Sequence, residues 1–201
     1  IKKNINLNKI NFSFFADKND ILLKNIYGET DSIQIKDGDL KLKLSPEITL
    51  ESNFTTNIKY KNQSTNNSDL LKNFEYAKNI VILNANLNNS FSINLDKTYK
   101  VKKYDYKSKG KIINVNLDFK KSLADNFLKG KINQLSLKNS KIETNFNSKN
   151  NNTIISGKYS LNKGSYLSFN LDNTIEKDLL KLKLDAEYDD LINLEIINYQ
   201  K

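Results

Sequence analysis

The stretch ITLESNFTTNIKY, residues 48–60, alternates without a break. Ile48, Leu50, Ser52, Phe54, Thr56, Ile58 and Tyr60 keep one phase, and Thr, Glu, Asn and Lys fill the other. Side chains two apart along a strand share a face. The segment is therefore predicted to be a strand with one mainly apolar and one polar side. Its phased positions span roughly 40 Å at ~3.3 Å per residue, well beyond the usual strand. Such length suits an extended sheet better than a compact sandwich.

The same period of two runs outward in both directions. Upstream, Ile33 and Ile35 precede Asp37-Gly38, and Leu40, Leu42 and Leu44 follow. An Asp-Gly pair between alternating runs predicts a hairpin, and Pro46 ends the second run. Downstream, Lys61 to Asp69 reads as a loop, and Ser68 is placed to cap a short helix through Leu70, Leu71 and Phe74. Strands resume from Ile80 to Leu87, with a turn expected at Asn88-Asn89. Phe91, Ile93, Leu95, Tyr99 and Val101 then keep one phase. The phase moves near Lys102-Lys103 before Tyr104, Tyr106 and Ile112, which predicts a β-bulge. Ile113, Val115, Leu117 and Phe119 form the next run, and Ser122 is placed to cap one or two helical turns with Leu123, Phe127 and Leu128.

In the last third, Leu135 and Leu137 lead to Ile142, Thr144 and Phe146. A polar loop is expected at Asn150-Asn151-Asn152. Ile155, Tyr159 and Leu161 precede a turn at Asn162-Lys163-Gly164, after which Leu167, Phe169 and Leu171 return. Leu180, Leu182, Leu184, Ala186 and Tyr188 run to Asp189-Asp190, and Ile192, Leu194 and Ile196 come back. The whole reads as all-β: a long antiparallel meander forming a curved, elongated sheet with at most one or two short helices. No Pro/Gly/Ser-rich linker divides it, so residues 1–201 are expected to be a single β-repeat module. The chain begins at Ile1, and it is read as a section of something longer. Repetition is weak: Asn-Leu-Asp recurs at 94–96, 116–118 and 170–172, and Leu-Lys-Leu-Lys-Leu at 40–44 and 180–184.

Composition excludes much chemistry. There is no His, Cys, Met, Trp or Arg. The usual general base at neutral pH is missing, and so are the common zinc and iron–sulfur ligands. The six glycines are too scattered for a phosphate-cradling loop. The net charge of +9 comes from lysines spread over the polar sides of alternating strands, where nucleic-acid readers favour Arg forks and clustered stripes. Neither a signal peptide nor a run of ~20 apolar residues is present in this segment.

A one-faced sheet must cover its apolar side. Because the other side is Asn, Lys, Asp and Ser, it meets water, which argues against a membrane barrel. An open trough would expose more apolar surface than soluble proteins usually tolerate unless something occupies it. Acyl chains would do so.

The stretch DILLKNIYGETDSIQIKDGDLKLKLS, residues 20–45, with the long strand after it, resembles repeats of the AsmA-like proteins. It is most similar to the large envelope members carrying a DUF3971-type region (the YhdP-like branch). FSINLDKTYKVKKYDYKSKGKI (91–112) and GKYSLNKGSYLSFNLDN (157–173) have the same character. The resemblance implies a bridge: a taco-shaped sheet with an apolar groove, held in the inner membrane by an N-terminal helix, crossing the periplasm and moving phospholipid between two membranes. This chain would be an internal periplasmic section, with the anchor outside it. Its partner would be phospholipid acyl chains, with no nucleic acid, cofactor, metal or catalytic residue. The candidate groove residues are Ile48, Leu50, Phe54, Ile58, Tyr60, Phe91, Ile93, Leu95, Val115, Leu117, Phe119, Tyr159, Leu161, Phe169, Leu182 and Leu184. Each could equally be ordinary core.

Other readings stay open. A structural or adhesive β-sandwich, such as a surface-layer module, would use the same alternation for a closed core. The local density of Tyr99, Tyr104 and Tyr106 would suit sugar stacking. Asp189-Asp190 could in principle serve glycoside chemistry, but a hairpin turn is the better account of that pair.

Overall fold

The computed structural model describes residues 8–62, 78–123, 131–176, 179–189, 193–194 and 199–200. Among them the alternating segments form β1 (Lys9–Ala16), β2 (Asp20–Glu29), β3 (Ile33–Lys43), β4 (Ile48–Lys61), β5 (Ile80–Leu95), β6 (Val101–Leu123), β7 (Ile132–Asn147), β8 (Asn150–Leu161), β9 (Leu167–Glu176) and β10 (Leu179–Ala186). These ten strands make one antiparallel meander in chain order. Among the described residues the sheet does not close, and β1 and β10 are its two edges. Two short strands, β11 (Asn193–Leu194) and β12 (Tyr199–Gln200), pair with each other. No α-helix occurs among the described residues. The helix expected at Leu70, Leu71 and Phe74 lies outside them, as do Phe127, Leu128, Ile192 and Ile196. Ser122 belongs to β6 rather than to a helix.

The long alternating strand is β4, with the limits its phase implies. It pairs with β5 without a slip from Ile48↔Leu95 to Lys61↔Ile82. The turn expected at Asn88-Asn89 is absent, and β5 runs straight through. Ala85, Leu87, Asn89 and Phe91 never change parity, so nothing there reverses the chain. Asn89 points to the apolar side and is only 6 % exposed.

Where the apolar phase does change parity, one residue is added to a strand. Leu23 to Ile26, Ile35 to Gly38, Ile112 to Val115 and Leu137 to Ser140 are each three steps, and each carries a register irregularity in β2, β3, β6 or β7. Asn25, Asp37 and Asn139 sit in these steps at φ 53°, 53° and 51°, the left-handed region that Asn and Asp tolerate best. The Asp37-Gly38 hairpin is thereby corrected to a bulge inside a continuous β3. Only an extra residue returns Leu40 and Leu42 to the face of Ile33 and Ile35. The bulge expected near Lys102-Lys103 is present, between the pairs Asn94↔Lys103 and Leu95↔Val101. The runs on either side of Ile112 are one strand of 23 residues.

Tyr99 lies in the β5–β6 turn rather than in a strand. Asn150 to Asn152 start β8 instead of forming a loop, because the Ser148-Lys149 turn reverses the chain first. The turn at Asn162-Lys163-Gly164 stands as expected, with Asn162 and Lys163 at positive φ. The β1 and β2 segments had no strand expectation, since β1 reads KINFSFFA and alternates poorly.

The chain exposes 14416 Å², against about 9,700 Å² for a compact monomer of its mass. The ten strands lie in a single sheet. Only Tyr60, Ala85, Ile112 and Val115 are buried hydrophobics among the described residues. The densest packing gathers Ile58, Leu83, Leu117, Leu137 and Ile142 around Ala85, Ile112 and Val115, across β4 to β7.

Candidate functional site: the apolar face of the sheet

The register joins same-face residues into rows that cross the sheet. One row runs Ile10, Gly28, Ile35, Thr56, Leu87, Gly110, Ile142, Ile155, Leu171 and Leu184, taking one residue from every strand from β1 to β10. A second row runs Tyr60, Leu83, Val115, Leu137, Tyr159 and Leu167. Successive positions in each row lie about 4.8 Å apart, and the longer row has no side chain at Gly28 and Gly110. From β7 to β10 it presents an aliphatic side chain on every strand.

All the candidate groove residues fall on this face. Ile48, Leu50, Ile58 and Tyr60 do so through their pairing with Leu95, Ile93, Ala85 and Leu83, and Phe54 and Phe91 stand edge to face with centroids 6.3 Å apart. Val115 and Leu117 pair with Leu137 and Leu135, which pair in turn with Tyr159 and Leu161. Phe119 joins by alternation from Leu117 along β6. Phe169 faces Gly157, Leu184 faces Leu171, and Leu182 faces Asn173. What differs is their cover. Val115 and Tyr60 are buried, while Leu182 and Leu184 on the edge strand are 63 % and 59 % exposed.

The face is concave over β7 to β10. Leu135, Leu137, Ile155, Tyr159, Leu161, Phe169, Leu171, Leu184, Ala186 and Tyr188 surround a hollow of about 430 Å³. Its volume and apolar lining fall in the range of small-molecule pockets. Tyr159 and Phe169 meet edge to face at 6.0 Å. The Tyr159 hydroxyl donates to the Glu187 carbonyl at 2.6 Å. Burial pushes its pKa above the ordinary phenol value, and the neighbouring Tyr188, Asp189 and Glu187 push the same way. It remains a neutral donor, and the ring wall stays fixed beside the hollow.

A polar line crosses the same face, which alternation alone did not reveal. The row next to the all-strand apolar one reads Phe54, Asn89, Ser108, Thr144, Thr153, Asn173 and Leu182. Asn89 is its hub. Its Nδ2 donates to Thr56 Oγ1 at 2.9 Å, to the Leu87 carbonyl at 3.2 Å and to the Phe54 carbonyl at 3.3 Å. Its Oδ1 accepts from Tyr106 Oη and from Ser108 Oγ, each at 2.9 Å. Thr144 and Thr153 share a hydrogen bond at 3.3 Å. A buried amide is tolerable here because its partners are supplied. Apolar lanes therefore lie on either side of a polar seam that is hydrogen-bonded at Asn89 and at the Thr144–Thr153 pair, while the buried Oδ1 of Asn173 accepts no hydrogen bond among the described residues. The signal available in the sequence was the unbroken parity through Asn89, which outweighs the turn tendency of an Asn-Asn pair.

No protein family, no curated protein and no solved structure matches this chain.

Proposed function

We propose that this chain is a non-enzymatic lipid-binding section of a periplasmic bridge that moves phospholipid between an inner and an outer membrane. The observation that carries the reading is the mainly apolar face shared by ten strands, hollowed over β7 to β10 and more than half exposed at Leu182 and Leu184. Apolar surface left in water at this extent is unfavourable by roughly 25 cal/mol per Å², and an acyl chain lying along a row removes it from water. Binding of this kind needs no catalyst. The headgroup stays in water at the open side of the face while the chains contact Leu135, Tyr159 and Phe169. The bridge, its anchor and its compartment come from the likeness of residues 20–45, 91–112 and 157–173 to AsmA-like repeats.

The alternative is a structural or adhesive sandwich with a closed core. A second sheet would then have to lie on this face, and Leu182 and Leu184 would be covered rather than more than half exposed. Mass spectrometry of organic extracts from chain purified without detergent separates the two. An unrelated β-protein of similar charge serves as the control. Stoichiometric phospholipid in this chain alone supports the lipid reading, and photocrosslinkers at Phe54 and Phe169 should then label lipid. A clean extract from a folded, stable monomer would remove it in favour of the structural module.

A further inference from the structure

We propose that the tip of the β5–β6 hairpin, residues 96–104, docks onto an anionic phospholipid surface. The tip projects from the sheet. Asp105 of β6 faces Asn147, the last residue of β7, so residues 101–104 continue past the end of β7 by roughly 13 Å. On the other side the first residue of β4, Ile48, faces Leu95, and the turn from Asp96 onward lies beyond it.

The projecting segment is both basic and apolar. Lys97, Lys100, Lys102 and Lys103 stand exposed within seven residues. Among the described residues none of the four takes part in an ion pair. The one carboxylate of the tip, Asp96, is already engaged: its Oδ1 accepts from Thr98 Oγ1 at 2.6 Å, Thr98 N at 2.7 Å and Lys100 N at 3.0 Å. Those bonds fix the turn with Tyr99 at φ 62° and its ring 70 % exposed. Val101 and Tyr104 follow at 59 % and 40 %. The other described turns at this end lack the combination: Asp17-Lys18-Asn19 and Ser148-Lys149 have a single lysine each, and Ser45-Pro46-Glu47 is acidic.

Tyrosine and valine beside lysine match a bilayer interface, where amphipathic rings sit at headgroup depth and ammonium groups meet phosphate. Each lysine near an anionic leaflet multiplies association about fivefold at low salt. Nucleic acid is the weaker match, because the chain has no guanidinium fork. Docking by the tip requires nothing in the trough over β7 to β10, so an empty trough and a failed docking are separate results.

The test is co-sedimentation of the full chain with vesicles of phosphatidylcholine alone and of phosphatidylcholine containing phosphatidylglycerol. Sedimentation should require phosphatidylglycerol and fade with salt. The triple variant Lys100→Gln/Lys102→Gln/Lys103→Gln should weaken it at least about tenfold, and Tyr99→Ser/Val101→Ser at least about threefold. The matched triple Lys109→Gln/Lys181→Gln/Lys183→Gln should change it by less than about twofold. All eight side chains are on the surface, and unchanged melting curves confirm that the variants fold. Equal weakening by the two lysine triples would reduce the effect to net charge and overturn the proposal. So would retention of full binding by Tyr99→Ser/Val101→Ser. Binding of single-stranded RNA through the tip lysines, with no sedimentation on either vesicle, would assign the tip to nucleic acid instead.

Discussion

A Cβ on Gly157 would stand 2.5 Å from the Cα of Ser140. Ser140 is fully buried, directly after the bulge residue Asn139 in β7, and β8 passes it with no side chain in between. The bulge presses Ser140 toward β8, and only hydrogen at position 157 fits. Gly157→Ala must move backbone and should destabilise the chain by about 3 kcal/mol. Gly28 is the internal contrast, with nothing within 4 Å of where a Cβ would be. Gly28→Ala should be neutral or stabilise by about 0.4–1 kcal/mol through the unfolded state. Urea unfolding of the two variants checks the pair, and equal stabilities would contradict the register at the β7 bulge.

Asn89 holds five hydrogen bonds in the polar seam. Asn89→Ala leaves Ser108 and Tyr106 without their acceptor in a buried setting. It should cost about 2–3 kcal/mol. Asn89→Leu should not recover that loss, although leucine suits the neighbouring rows. Thermal unfolding of both variants tests whether the seam is structural. A stable Asn89→Leu would mean that the polar line is dispensable for folding.

Core and trough should separate by mutation. Ile112→Ala removes a side chain 8 % exposed at the packed centre and should cost about 2–4 kcal/mol. Leu182→Ser and Leu184→Ser act on side chains more than half exposed, and each should change stability by no more than about 0.5 kcal/mol. If acyl chains lie on this face, the serine variants should lose co-purifying lipid while melting as the parent does. Parallel melting and lipid quantification read both effects.

Acid should destabilise the chain through its turns. Hydrogen bonds from the Thr98 hydroxyl first, then the Lys100 amide, hold Asp96 below the usual carboxylate range. The amides of Asn19 and Asp20 do the same for Asp17. Unfolded, both groups bind protons at higher pH than when folded, so the stability they contribute is complete above the ordinary carboxylate value. It is lost as pH falls through the lowered folded values. Melting temperature measured from about pH 6 down to about pH 3 should fall most steeply at the acid end. The double variant Asp17→Asn/Asp96→Asn should show a shallower fall. An identical slope would detach these turns from the acid response.

Much of this fold was legible because a strand writes its faces in the sequence at a period of two. Residues 48–60 declared β4 to within a residue, and the phase of each later run put the groove candidates on one side. Turns were harder. Asp37-Gly38 and Asn88-Asn89 carry strong turn tendencies, yet the first makes a bulge and the second lies mid-strand. The evidence for both was parity, which changes across Asp37 and does not change across Asn89. Local propensity was outweighed by the register of neighbouring strands.

The sequence by itself determined that the chain is β, that each strand has an apolar and a polar side, and that His- and Cys-based chemistry is absent. Those properties depend on residue type and on spacing within single strands. The tertiary structure alone decided which residues of different strands form rows, that Asn89 gathers a polar seam between them, and that hydrogen is required at Gly157. It also decided that the apolar side is hollowed over β7 to β10 and that β1 and β10 form the two edges of the described sheet. Rows, seams and hollows come from alignment between strands far apart in the chain. That alignment is set by bulges and cross-strand packing, which no one strand's pattern contains.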